Sequence, residues 1–240
     1  MDMTHFLAPV HPQWQPLITK ALQTLPDAYV KDLLLSEDWF PGEHAMLAAF
    51  SMPLSSVSTV LFGESPYPRR ASANGYAFWD AEVQSLWSET GLSTSVNRAT
   101  SLRNFIKMLL YARGDLSVDF SQSAIAALDK SHFYSTAEAF FKGLMSRGFL
   151  LLNATLVYRE GEIAYHAKQW RSFILAVLDE LAVHRSSVSL ILLGRIALQI
   201  PGCERFRCLV AEHPYNLSFI TNPEVSQFFK PLDLLVDHEK

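Results

Sequence analysis

The sequence predicts an α/β fold: three layers, α/β/α, around a central, mostly parallel, four-stranded sheet. Three observations predict it. Four short apolar runs, at 58–62 (STVLF), 148–155 (GFLLLNAT), 188–194 (VSLILLG) and 208–212 (CLVAE), suit strands buried on both faces. Segments with helical apolar spacing separate them and supply the crossovers that parallel strands need. A chain of 240 residues, 49% of them hydrophobic, can bury a full core as one domain spanning residues 1–240.

In chain order, apolar residues three and four apart predict a first helix over 14–25 (WQPLITKALQTL) and a second over 44–50 (HAMLAAF). The run 58–62 gives the first strand, which stops at Gly63 in a proline-bracketed turn. Helical spacing returns at 101–113 (SLRNFIKMLLYAR) and 136–148 (TAEAFFKGLMSRG), and 115–135 between them is the most loop-like stretch. After the second strand, 148–155, comes a long helix containing 170–184 (WRSFILAVLDELAVH), then the third and fourth strands. No internal repeat or low-complexity tract interrupts this pattern.

Composition narrows the function classes. A net charge of −4 exerts no global pull on nucleic acid, although a local basic stripe serves where the total does not. Two cysteines, Cys203 and Cys208, make no disulfide framework and suggest a reducing compartment. The opening MDMTHFLAPVHPQWQP has the pattern of neither a secretory nor a mitochondrial leader, and no apolar run reaches membrane-spanning length. The expectation is a soluble, cytoplasmic protein that does not engage a membrane. Cys203, Cys208 and His213 fall short of four ligands at metal spacing, so no metal and no other cofactor is expected.

In sheets of this kind ligands bind beyond the carboxyl ends of the strands. Three apolar runs deliver polar residues there: the first leads to Gly63–Tyr67, the second to Asn153 and the fourth to His213. Five short motifs then carry a resemblance: GESPYP (63–68), GYAF (75–78), ATSLRN (99–104), LLLNAT (150–155) and HPYNLS (213–218). In this order and spacing the chain resembles the uracil-DNA glycosylases over nearly its whole length, specifically their common bacterial and eukaryotic branch. That branch carries GQDPYH, a glycine–hydrophobe–alanine–phenylalanine stretch, PPSLKN, LLLNT and HPSPLS.

The resemblance implies a monofunctional DNA-repair hydrolase, acting as a monomer on uracil-containing single- or double-stranded DNA. It flips uracil out and cleaves its N-glycosidic bond. By the same resemblance Asn153 reads the base, since one amide offers the donor and the acceptor that the O4 and N3–H edge requires. Phe78 stacks on the flipped base, and Tyr67 stands where a thymine methyl would go. His213 donates to uracil O2, where charge develops. Leu217 is the wedge, and Ser101 and Ser218 hold phosphates. Each has a plainer reading. Asn153 and His213 suit a strand end and a turn, Phe78 suits core, Leu217 an exposed loop, and Ser101 a helix cap. Arg69, Arg70, Arg103 and Lys107 form a local basic rim or, one by one, solvated charge.

One position departs from the family. The third residue of its loop is an aspartate that places water and faces the cationic sugar, whereas this chain has Ser65. Loss of a charged stabiliser in a dry site costs about 3–4 kcal/mol, roughly a hundred- to thousandfold in rate. Glu64 is the candidate to compensate, standing where a cluster-bearing branch of the superfamily also has glutamate. Pro68 replaces the closing histidine, the phosphate loop lacks its prolines, and the wedge loop lacks its usual arginine. Two readings stand: a glycosylase with reduced or altered catalysis, or a weak or inactive binder of uracil-containing or damaged DNA. A glycosylase for another modified base stands behind both.

Overall fold

The computed structural model describes residues 4–184, 187–195 and 199–238. Four strands, β1 (Thr59–Gly63), β4 (Phe149–Asn153), β5 (Ser189–Leu193) and β6 (Arg207–Ala211), form one parallel sheet in the order β4-β1-β5-β6. The intervening β2 (Trp87–Ser88) and β3 (Gly91–Leu92) make a separate antiparallel pair. Because all three pairings are parallel, the loops leaving β1, β4, β5 and β6 all emerge at one edge of the sheet.

Successive side chains on a strand point to opposite faces, and this divides the core in two. Val60, Phe62, Leu150, Leu152, Leu190 and Leu192 pack against α1 (Gln15–Leu22), α2 (Asp27–Leu35) and α7 (Ile163–His184). Leu61, Phe149, Leu151, Ile191, Leu193 and Leu209 face α4 (Thr100–Arg113), α6 (Ala137–Ser146) and α8 (Pro223–Phe229). The expected α/β/α layering is what the chain adopts.

Three local expectations need correction. Residues 44–50 are turns that end in a short 3-10 helix, Ala48–Ser51, hemmed between Pro41–Gly42 and Pro53. Their apolar spacing records burial rather than an α-helix. The loop-like 115–135 holds a short helix, α5 (Gln122–Ala126), started by the Ser121 hydroxyl, which accepts from Ala124 N. At α4 the cap residue is Ala99, which makes no side-chain cap, so Ser101 sits inside the first turn rather than capping it. The short α3 (Thr94–Arg98) precedes α4 and is capped by Ser93.

Candidate active site

Backbone pairing continues past the strand ends and fixes the first loop. Ala154 N donates to Gly63 O at 2.8 Å and Thr155 N to Glu64 O at 3.1 Å. Beyond Tyr67 the loop is fastened to itself. Arg69 Nη2 meets the buried Asp80 carboxylate at 3.1 Å, and both Arg69 and Glu82 bond the Ser72 hydroxyl. The prolines at 66 and 68 remove backbone freedom between these anchors. Neither the Ser65 hydroxyl nor the Glu64 carboxylate has a hydrogen-bond or ion-pair partner among the described residues; Glu64 is exposed and Ser65 half-buried.

The 75–78 segment runs beside β4, where Ala77 N donates to Leu151 O at 3.1 Å. Phe78 follows with φ at +64°, a left-handed backbone that costs a phenylalanine energy and that tight surroundings must enforce. Part of that enforcement comes from Tyr67, whose hydroxyl donates to Phe78 O at 3.2 Å. Burial, reinforced by Asp80 and opposed by Arg69, pushes the Tyr67 phenol far above its ordinary pKa, so the donor stays protonated.

His213 follows β6 and stacks at 28° to the Phe78 ring, with centroids 6.2 Å apart. Gly194, after β5, admits it: a Cβ there would lie 2.9 Å from His213 Cβ, and its φ is +71°. Tyr215 N donates to His213 Nδ1 at 3.1 Å, which leaves Nε2 as the protonated donor of the neutral ring. Burial holds the imidazole pKa below its ordinary value, and the Glu64 carboxylate partly offsets this. Asn104, fully buried on α4, donates to Pro214 O at 2.7 Å and so ties the helix to this loop.

Asn153 ends β4 opposite Gly63 and is 2% exposed. Its amide has no hydrogen-bond partner among the described residues, and its polar atoms keep some solvent access although the residue as a whole is buried. Gly63 exists for this contact: a Cβ there would fall far inside van der Waals distance of Asn153 Oδ1 and 2.9 Å from Ala77 Cβ. Above Gly63 opens a cavity of about 630 Å³, lined by Gly63, Glu64, Phe78 and His213 among others. Asn153 lies behind that lining, against Gly63, while Ser65 and Tyr67 sit in the adjoining loop.

The remaining expected residues do not line the cavity. Leu217 and Ser218 begin a 3-10 helix, Leu217–Thr221, and both are exposed, Leu217 to 71%. Ser101 is half-buried in the first turn of α4. Three of the four expected rim cations make contacts within the chain. Arg69 is ion-paired, Arg70 donates to Glu37 O and covers the Phe40 ring, and Arg103 donates to Asn97 O and Asn104 Oδ1. Sequence reasoning also missed Arg195, Glu212 and Tyr215, which line the cavity, and the tie made by Asn104. Their positions just past β5 and β6 were the available signal.

No family model matches the sequence. The solved structure of the wild-type UNG from Nitratifractor salsuginis is similar over 98% of this chain and 97% of that one, at 40% identity and a TM-score of 0.92. The uracil-DNA glycosylase of Corynebacterium glutamicum is 24% identical over 226 residues, 88% of this chain and 82% of the relative. Mimivirus uracil-DNA glycosylase, at 15% identity and a TM-score of 0.57 over 89% of this chain and 71% of that one, shares the fold.

Proposed function

Because the chain belongs to the uracil-DNA glycosylase family, we propose that it is a monofunctional glycosylase of the common branch, working as a single-domain monomer on uracil-containing DNA with altered catalysis. The observation that carries this reading is the Asn153 amide, held against Gly63 with no hydrogen-bond partner among the described residues. Its donor and acceptor are free to pair with a ligand edge, each such hydrogen bond contributing about 0.5–1.5 kcal/mol.

Extrusion of the nucleotide costs a few kcal/mol of stacking, which Leu217 offsets by filling the gap. Ser101 and Ser218 hold the flanking phosphates. The base stacks on Phe78, pairs its O4 and N3–H with Asn153, and meets Tyr67 where a methyl would clash. As the N-glycosidic bond breaks, its electrons pass to the uracil ring and its O2, which His213 Nε2–H stabilises. The sugar becomes cationic. Ser65 orients a water, whose hydroxyl joins C1′ while its proton passes to Glu64. The electrostatic influence of Glu64 on His213 supports a carboxylate on the reacting side of the cavity.

Ser65 also supports a second reading, recognition without turnover, because a hydroxyl supplies no charge to the sugar cation. The test is excision from uracil-containing single-stranded DNA, read on a gel after alkali cleavage, beside a binding assay on the same strand. Cleavage at uracil establishes the enzyme. Binding without cleavage establishes the second reading, and neither one overturns both.

A further inference from the structure

Beside the candidate active site lies a second cavity, of about 510 Å³, and Glu64 and Arg195 line both. One wall is a stripe of α7 on which Ala164, Ala167, Lys168 and Arg171 recur three and four apart on a single helix face. The alanines leave the hollow and the two cations edge it. Gln199 stands opposite, its carbonyl accepting from Arg171 Nη1 at 3.3 Å.

These cations differ from the arginines that the fold neutralises. Arg69, Arg113, Arg159 and Arg205 are each ion-paired. Among the described residues, Lys168, Arg171 and Arg195 have no carboxylate partner, and all three are exposed. A protein of net charge −4 thus gathers three unneutralised cations around one hollow, against the single carboxylate of Glu64. Glu64 stands at the wall shared with the first cavity, so the anion-attracting part is the α7 side.

We propose that this second cavity seats a backbone phosphodiester of the DNA strand flanking the extruded nucleotide, with Lys168, Arg171 and Arg195 as its contacts. The inference rests on the glycosylase reading above and adds a direction to it. Phosphate contacts fix register without reading sequence. The Glu64 carboxylate repels backbone from the reacting centre while the α7 cations draw it aside. The strand is therefore held with its phosphate over α7 and its base over His213.

The experiment measures fluorescence anisotropy of a uracil-containing single strand from 50 to 200 mM salt. It compares wild type, the double variant Lys168→Ala/Arg171→Gln, and a control of matched charge change, Lys31→Ala/Lys230→Ala. Neutralising one phosphate of a single strand contributes about 0.7 to the salt slope, so the first variant is expected to lose up to about 0.7 and to bind several-fold more weakly. The control keeps the wild-type slope. The inference is overturned if the folded double variant keeps the wild-type slope and affinity, or if the control loses as much. Failure of the glycosylase reading looks different: wild type then shows no preference for uracil over a thymine strand, while the slope comparison still decides the cavity.

Discussion

Gly63→Ala tests the recognition chemistry without removing a polar atom. The added methyl would meet Asn153 Oδ1 far inside the 3.0 Å that real Cβ contacts respect, and Ala77 Cβ at 2.9 Å. Gly63 is in register with Asn153 and its carbonyl accepts from Ala154 N, so β1 cannot withdraw freely at this point. The amide must give way, by on the order of half an ångström or more. Overpacking of this kind costs about 1–3 kcal/mol of stability, and misplacement of a recognition group by about 1 Å can cost a hundredfold in rate.

The expected result is a folded protein, melting a few degrees lower, whose single-turnover uracil excision falls between tenfold and a hundredfold. If turnover is absent, the same loss appears as weakened preference for uracil-containing DNA. The control is a cycle with Asn153→Ala. Once the amide is gone, only the contact with Ala77 Cβ remains, so Gly63→Ala adds little further loss of recognition. A Gly63→Ala protein as active and selective as wild type would refute the assignment. So would an undiminished Gly63→Ala effect in the Asn153→Ala background.

The neighbouring residues give three further expectations. Tyr67→Phe removes the bond to Phe78 O and costs about 0.5–1.5 kcal/mol of excision rate with thymine still refused, whereas Tyr67→Ala admits thymine, both read on paired uracil and thymine strands. Ser65→Asp raises the excision rate about tenfold or more, and Glu64→Gln abolishes it while binding persists; the reverse pattern would move the chemistry off Glu64. His213 has a folded pKa below its ordinary 6.5, so its neutral form and the stability linked to it are fully present above that value and are lost as pH falls through the depressed one. Excision should therefore hold from pH 8 to pH 6.5 and decline on the acid side, and His213→Gln should remove that acid limb.

What was legible in the sequence was whatever the strands dictate locally. Runs such as LLL at 150–152 and LILL at 190–193 are buried on both faces, and no other element accommodates them so well. Asn153, Gly63 and His213 could be placed because they follow such runs directly. The segment at 44–50 misled because burial on all sides mimics helical spacing. Short helices such as α8 were lost because their start lies in one cap, Asn222 accepting from Glu224 N and Val225 N, rather than in periodicity. The tie from Asn104 to Pro214 O spans 110 residues, and no local pattern foretells it. Nor does local pattern foretell that Arg69 would be consumed by Asp80 instead of facing a ligand.

The same accounting explains how a chain can keep this loop while changing its third residue. The anchors of the loop are backbone bonds from Ala154 and Thr155, the Arg69–Asp80 pair, and the Tyr67 bond to Phe78 O. None of them uses the side chain of residue 64 or 65. A serine at 65 therefore removes no support from Phe78, His213 or Asn153, and an aspartate there would remove none either. Structure and chemistry separate at this position. A rate change in Ser65→Asp accordingly reports charge at the reacting centre rather than repair of the fold, and its melting temperature should match wild type. An aspartate that shifted the melting point as strongly as the rate would mean that residue 65 helps to hold the loop, and the separation argued here would fail.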